Sequence, residues 1–301
     1  MIGQQQGAPD TGERIELVSW RRRVFRVKLV PHVPAAILIG FVLMAIFADL
    51  LATHNPRAVD ILNGRQLPAF AGGSTENWLG TDVLGRDVFS RLVKGAQVSL
   101  SVAALVIFVG ATVGSALGII SGYYGGWVDA LIQRVVDIAL ALPLILIAIV
   151  AAVTIGASFQ NVVIVISTLL WARFARQIRV EALALREADF VTLAKLSGVS
   201  SFWIMRRHIL PNVMATIIVI TTLQVGQIVL VEAALSFLGV GVPPPAPSWG
   251  SMVNDGRAEL LDTWWVSFFP GMAILLLVLS LNTLGDWLRD YLDPRGKLVG
   301  E

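Results

Sequence analysis

The chain has 301 residues, of which 55% are hydrophobic and 15% are charged, and its mean hydropathy is +0.73. Soluble proteins carry about 25% charged residues, so this composition indicates a membrane protein. The 23 basic and 21 acidic residues nearly cancel, which argues against nucleic-acid binding. The chain has no cysteine and only three histidines, at positions 32, 54 and 208, so neither a disulfide framework nor a metal site is predicted.

Several uncharged stretches are long enough to cross a bilayer, which requires about 20 mostly apolar residues. The uncharged run from Ile138 to Ala172 is too long for one span and contains a break at Gly156, so we interpret it as two helices. The prediction is an all-α polytopic membrane protein. Its six transmembrane helices are predicted at residues 33–51, 98–123, 137–155, 159–178, 211–240 and 263–285.

The distribution of basic residues predicts the orientation of these spans. The two termini and the segments on the same side of the predicted topology contain 17 of the 23 lysines and arginines. Because such residues are enriched on the cytoplasmic side, both termini are predicted to be cytoplasmic. The first span is interpreted as a retained anchor. The alternative is a cleaved signal peptide, whose apolar region of about 7–15 residues is shorter than this run.

We divide the chain into two parts by composition. Residues 1–97 hold the cytoplasmic N-terminus, the first span and a long external loop, and residues 98–301 form a five-helix core. The external loop is expected to be an ordered cap that ends in an amphipathic helix from Asp87. A proline-rich external run at 239–250 is expected to be a rigid loop.

The cytoplasmic segment 179–208 is predicted to form two short helices. Gly198 can take the left-handed conformation that ends a helix, and the Ser200 hydroxyl can cap the next one. Pro211 then begins the fifth span, where a missing N–H costs nothing. One interpretation of such a small, partly apolar unit is that it lies on the lipid interface.

Two features inside the predicted spans are notable. In the second span glycines recur every fourth residue and form a smooth stripe suited to close helix packing, at Gly110, Gly114, Gly118 and Gly122. Glu232 is the one acid deep in a span, and an intramembrane carboxylate is costly enough to be a functional candidate. We expect Glu232 either to face a translocation pathway or to brace a neighbouring helix.

Motifs of common enzymes are missing from the sequence. It contains no nucleotide-binding loop of the form G-x-x-x-x-G-K-[ST], no G-x-S-x-G and no H-E-x-x-H. An enzyme is therefore not predicted. Three classes remain: a channel, a secondary transporter and the membrane part of a multi-subunit machine. A channel is weakly supported because the spans show few rings of polar residues, and a secondary transporter because the two halves show no convincing repeat.

The cytoplasmic segment distinguishes among these classes. Residues 171–212 resemble the coupling loop of the permease subunits of binding-protein-dependent ABC importers, whose pattern is E-A-A, three residues, G, nine residues, I-x-L-P. Four residues match in register: Ala194, Gly198, Leu210 and Pro211. Three positions depart from the pattern: Thr192, Leu193 and His208. The resemblance implies the type I importer permease fold with cytoplasmic coupling helices. It also implies contact with an ATPase through Glu187, Asp189, Phe190, Leu193, Ala194, Gly198, Leu210 and Pro211.

Residues 79–91, 232–241 and 247–250 narrow the resemblance to the peptide-importer branch and to its second permease type, similar to dipeptide permease C. The implied function is to form half of the pathway for dipeptides or oligopeptides in the bacterial inner membrane. Glu232 would there meet a peptide amine. Permeases for nickel chelates or glutathione in the same family are alternatives, and an ATP-independent channel or scaffold subunit is the competing class.

The same resemblance implies a set of partners. These are a homologous second permease, two cytoplasmic P-loop ATPases, an external substrate-binding protein, the peptide and membrane lipid, and they do not include nucleic acid. ATP and Mg would be bound by the ATPases, so this chain is expected to need no cofactor. Phe190, Leu193, Ala194 and Gly198 are expected to seat in a groove of the ATPase.

Overall fold

The computed structural model describes residues 31–292, and within this range the chain is helical and contains no strand. The α-helices in chain order are α1 His32–Ile46, α2 Ala48–Leu51, α3 Val88–Tyr124, α4 Gly126–Ala141, α5 Leu144–Thr154, α6 Phe159–Arg186, α7 Asp189–Leu196, α8 Ser201–Ile204, α9 Leu210–Phe237, α10 Trp249–Gly256 and α11 Trp264–Leu292. A π-helical turn, Met205–Ile209, joins α8 to α9.

Four helices of the described range are long and apolar enough to cross a bilayer. They are α3, α6, α11 and the continuous helix Ser201–Phe237 that contains α8 and α9. These helices confirm the predicted second, fourth, fifth and sixth spans. Each begins or ends beyond its predicted bounds, because a prediction based on uncharged runs stops at the first charge whereas the helix continues into charged turns.

The predicted third span, residues 137–155, is wrong as a single helix. Its residues are divided between α4 and α5, which meet at an angle of 80°. Pro143 stands at the break and has no N–H to donate to the helix. Leu142 is extended, at φ −84° and ψ 129°, as expected for a residue before proline. The pair α4–α5 is apolar enough to count together as a fifth, broken span.

The predicted first span corresponds to two helices. α1 has 15 residues and is followed by the four residues of α2, with Phe47 between them at φ −96° and ψ 22°. The Lys94 ammonium on α3 donates to the Asp49 carboxylate on α2, and α1 packs against α3 and α11. The basic N-terminal segment, which contributed to the predicted orientation, lies outside the described residues.

The external loop ends where α3 begins. Asp87 caps α3 by accepting a hydrogen bond from the Ser90 N–H at 2.8 Å. The predicted amphipathic helix and the predicted second span are thus one helix of 37 residues. The helix begins where the amphipathic helix was predicted to begin, and the division that we placed after residue 97 falls inside it.

The centre of the fold is the packing of α3 against α6, the most extensive helix pair of the described chain. Four glycines of α3 lie on the face that contacts α6: Gly110, Gly114, Gly118 and Gly122. A Cβ atom added at any of them would lie 2.3–2.7 Å from an atom of α6. The two backbones can approach so closely only because these positions have no side chain.

This packing predicts a large effect of one methyl group. A Cβ at Gly114 would lie 2.3 Å from the Trp171 carbonyl oxygen and 2.6 Å from the Phe174 Cβ, so Gly114→Ala should destabilise the protein by about 1–3 kcal/mol. Gly40 on α1 is the matched control, because no atom lies within 4 Å of its Cβ position. Thermal unfolding of the purified protein in detergent should show a lower midpoint for Gly114→Ala and not for Gly40→Ala. Equal midpoints would contradict the close contact.

Candidate functional site

The chain turns sharply after α7, at Gly198. This residue has φ +76°, and no atom lies within 4 Å of its Cβ position. The Gly198 N–H donates to the Lys195 carbonyl at 3.1 Å, and the Val199 N–H donates to the Ala194 carbonyl at 3.1 Å. These two bonds form the Schellman motif that ends many helices. The predicted helix break at Gly198 is confirmed.

Two other predictions about this segment are wrong. The Ser200 hydroxyl makes no capping bond to α8, and because Ser200 is exposed, water can satisfy the first N–H groups of that helix. The fifth span does not begin at Pro211, since the helix from Ser201 to Phe237 is continuous. Pro211 cannot donate to the carbonyl four residues earlier, and the widened π-helical turn directly before it carries the helix past the proline.

The segment from α7 to α8 exposes large apolar side chains. Leu193 is 63% exposed and Leu196 is 80% exposed, while Val191 on the opposite face of α7 is fully buried. Other exposed apolar residues of the segment are Phe190, Val199, Phe202 and Trp203. We call the exposed side chains of Phe190, Leu193, Leu196, Phe202 and Trp203 the apolar docking face. Exposed apolar side chains of this kind are available to a partner protein or to the lipid interface.

The eight residues predicted for ATPase coupling do not all share this face. Six of them are exposed: Glu187, Asp189, Phe190, Leu193, Gly198 and Pro211. Ala194 and Leu210 are half-buried and pack against the hydrophobic core, so their side chains hold the segment in place. Sequence reasoning missed Leu196, Phe202 and Trp203. Leu196 could have been predicted from the sequence, because Phe190, Leu193 and Leu196 recur at helical spacing.

The segment from α7 to α8, which we call the docking segment, is held against the end of α3 by Tyr123. The Lys195 ammonium lies 5.5 Å from the centre of the Tyr123 ring, and the Tyr123 hydroxyl lies 3.4 Å from the Ser201 Oγ. Lys195 also donates to the Arg186 carbonyl at 3.3 Å. The Tyr123 ring is therefore in contact with both α7 and α8. A displacement of these short helices would be transmitted to α3.

Glu232 on α9 is completely enclosed by the chain. Its Oε2 accepts a hydrogen bond from the Ser99 hydroxyl of α3 at 2.8 Å, and its Oε1 accepts one from the Ser236 hydroxyl at 2.7 Å. The side chain has no exposed surface in this conformation. In this conformation the geometry matches the alternative, in which Glu232 braces α9 against α3, and a role in the pathway stays a prediction.

The external loop is fixed by a network of buried charges. Asp82 accepts from the Arg86 Nε at 2.6 Å and from the Arg91 guanidinium, and Asp82 and Arg91 are almost completely buried. Arg86 and Arg91 also donate to Asp255 of α10, at 3.0 and 2.9 Å. The Trp265 indole N–H of α11 donates to the Thr81 carbonyl at 3.1 Å. The network connects the loop to α3, α10 and α11, which agrees with its interpretation as an ordered cap.

Comparison with known sequences identifies the family of this chain. Residues 114–297 match the family described as "Binding-protein-dependent transport system inner membrane component". The match includes α4 to α11 and the entire docking segment. The chain belongs to this family.

Relatives of this inner-membrane component carry more specific names. A peptide transport system permease protein of Brucella suis biovar 1 is 41% identical over 280 residues, which is 93% of this chain and 90% of the relative. A glutathione transport system permease protein of Escherichia coli O6:K15:H31 is 40% identical over 281 residues, 92% of this chain and 90% of the relative.

The fold agrees with the family. A chain of the inward-facing MetNI methionine ABC transporter matches with a TM-score of 0.55 at 17% sequence identity, covering 67% of this chain and 96% of that chain. This likeness confirms the predicted ABC importer permease fold. The protein is an inner-membrane permease of the ABC importer family whose members include peptide and glutathione permeases. Its described residues are helical and contain no strand.

The bracing role of Glu232 generates a prediction. Glu232→Ala removes the acceptor of two buried hydroxyls and should destabilise the permease by about 1–3 kcal/mol, whereas Glu232→Gln keeps an acceptor and a donor and should cost less. Ser115→Ala is the control, because the buried Ser115 hydroxyl has no hydrogen-bond partner among the described residues. Thermal unfolding in detergent measures all three. A change in the uptake ratio of charged to neutral dipeptides in Glu232→Gln would instead support contact with the substrate.

Proposed function

We propose that the chain is the permease subunit of an ATP-driven, binding-protein-dependent importer of dipeptides or oligopeptides, in which it forms half of the translocation pathway. The apolar docking face is the observation that carries this proposal, because it exposes apolar side chains on the segment that resembles the coupling loop, where an ATPase could bind. The names of the relatives support peptides as the substrate class. Glutathione is itself a tripeptide and is an alternative, as are nickel chelates.

The partners follow from this role. A homologous second permease would supply the other half of the pathway, two cytoplasmic P-loop ATPases would bind ATP and Mg, and an external binding protein would deliver the peptide. This chain would need no cofactor and carry out no catalysis. In the competing class, an ATP-independent channel or scaffold, the apolar docking face would lie on the lipid interface and would bind no ATPase.

The described contacts suggest how ATP hydrolysis would move the spans. Movement of an ATPase that holds Leu193 and Leu196 would displace α7 and α8. Tyr123 would transmit this displacement to α3, because it touches both helices. α3 and α6 would then move together, since their glycine-lined contact allows little sliding. The translocation pathway would change its accessible side as this helix pair moves.

We also propose the complete topology of six spans with both termini cytoplasmic. The four long helices, the broken pair α4–α5 and the pair α1–α2 supply the six segments. The excess of basic residues on the side of the docking segment supports its cytoplasmic location.

The docking proposal predicts a strong effect of charge at Leu193. In Leu193→Asp an unpaired carboxylate would be buried at the interface, so binding of the ATPase chains should weaken about 30-fold or more. Leu62→Asp is the matched control, since Leu62 is 97% exposed and lies in the external loop. Co-purification of the ATPase chains and ATP hydrolysis stimulated by the loaded binding protein are the measurements. Normal stimulation in Leu193→Asp would overturn the assignment of the docking face.

The topology can be tested with single cysteines, because the chain has none of its own. In intact spheroplasts that express this chain without the ATPases, a membrane-impermeant maleimide should label Leu62→Cys and not Leu196→Cys, and after permeabilisation it should label both. Tags fused to either terminus should resist external protease. Labelling of Leu196→Cys in intact spheroplasts, or cleavage of either tag, would contradict the orientation.

A further inference from the structure

A cavity of about 140 Å³ lies between α6, α9 and the break that separates α4 from α5. Most of its wall is formed by leucine, isoleucine, valine and alanine side chains. Three polar residues interrupt this wall: Arg173 of α6, and Gln224 and Gln227 of α9. A mostly apolar cavity with a few converging polar groups is the usual form of a small-molecule site.

Arg173 differs from the other arginines of α6. Arg176, Arg179 and Arg186 each form an ion pair with a carboxylate, namely Asp137, Asp129 and Glu187. Arg173 donates only to the neutral amide oxygen of Gln227, at 3.4 Å. Within residues 31–292 no carboxylate oxygen lies within 4.0 Å of its guanidinium nitrogens. The cationic charge of Arg173 is therefore not neutralised by the described part of the chain.

The missing carboxylate partner of Arg173 matters because of where Arg173 lies along α6. It lies 14 residues after Phe159, the first residue of α6, which corresponds to about 21 Å along a helix that rises 1.5 Å per residue. The hydrocarbon core is about 30 Å thick, so a helix that enters the membrane at Phe159 carries Arg173 inside it. Gln224 lies midway along α9, and Gln227 lies about one helical turn closer to Phe237. A charged side chain at such depth is costly and characteristically faces a substrate pathway.

We infer that Arg173, together with Gln224 and Gln227, is a carboxylate-binding site of the translocation pathway that takes the C-terminal carboxylate of the transported peptide. The inference rests on the proposed function. A guanidinium group donates two parallel hydrogen bonds to a carboxylate, and the neighbouring glutamine amides can donate to the same group or accept from the peptide N–H. The Gln227 amide oxygen is the partner of Arg173 when no carboxylate is bound.

The absence of native cysteine allows a direct test by charge restoration. In the reconstituted complex with its second permease, ATPases and binding protein, Arg173→Cys should lower dipeptide uptake about 10- to 100-fold, the loss expected for a charge-assisted hydrogen bond. Hydrolysis of ATP stimulated by the binding protein should persist. A thiosulfonate reagent that attaches an aminoethyl group should restore uptake, whereas one that attaches a sulfonatoethyl group should not.

Two controls separate substrate contact from a structural role. Arg176→Cys lies one helical turn further along α6 and loses an exposed ion pair, so its uptake should change by less than about threefold. The C-terminal amide of the same dipeptide, at a concentration that saturates the binding protein, should be transported equally by wild type and Arg173→Cys. Equal losses for acid and amide, or no loss for either, would overturn the site. Absence of ATP-driven uptake in the wild-type complex would overturn the proposed function and this inference with it.

Discussion

The close contact between α3 and α6 is the constraint on which the rest of the structure depends. In a bilayer, helices gain little from the hydrophobic effect when they associate, so dense packing must hold them together. Four glycines of α3 bring the two backbones into contact over three helical turns. α6 leads directly into the docking segment at one end and carries Arg173 midway along its length. Both candidate sites are therefore positioned by the same helix pair.

The polar contacts around this pair have separate roles. In the loop before α3, the buried charges of Asp82 and Arg91 connect the loop to α10, and each is matched by a charge of opposite sign. Breaking such a buried pair is strongly destabilising, which suits a rigid cap. Glu232 braces α9 against α3 through hydroxyl groups. At the other end of α3, Tyr123 holds the docking segment through a cation–π contact and a long hydroxyl contact. Through these contacts α7 and α8 are connected to the end of α3.

Most of the long helices could be predicted from the sequence because the bilayer fixes their length and excludes charge. The prediction failed where local chemistry competes with apolar composition. The run that contains Pro143 is apolar enough for one span, yet the missing N–H bends it by 80°. The helix predicted from Asp87 and the predicted second span are one continuous helix, because no residue between them breaks the helical hydrogen bonds. Ser99 of α3, which donates to Glu232, is 133 residues away along the chain, and no local sequence pattern predicts a hydrogen bond between residues so far apart. The partial burial of Ala194 likewise depends on tertiary packing.

The arginines of α6 show how one helix can carry both structural and functional charge. Those at positions 176, 179 and 186 are neutralised by carboxylates of this chain, so they fix the helix in place. Arg173 is exposed in the described chain and has only a neutral amide partner, so its charge is not cancelled. A carboxylate that enters the cavity can therefore displace the amide with a net gain. When the carboxylate leaves, Gln227 offers Arg173 a replacement partner. Binding is then strong enough to admit the substrate and weak enough to release it, which is the condition for transport through a fixed site.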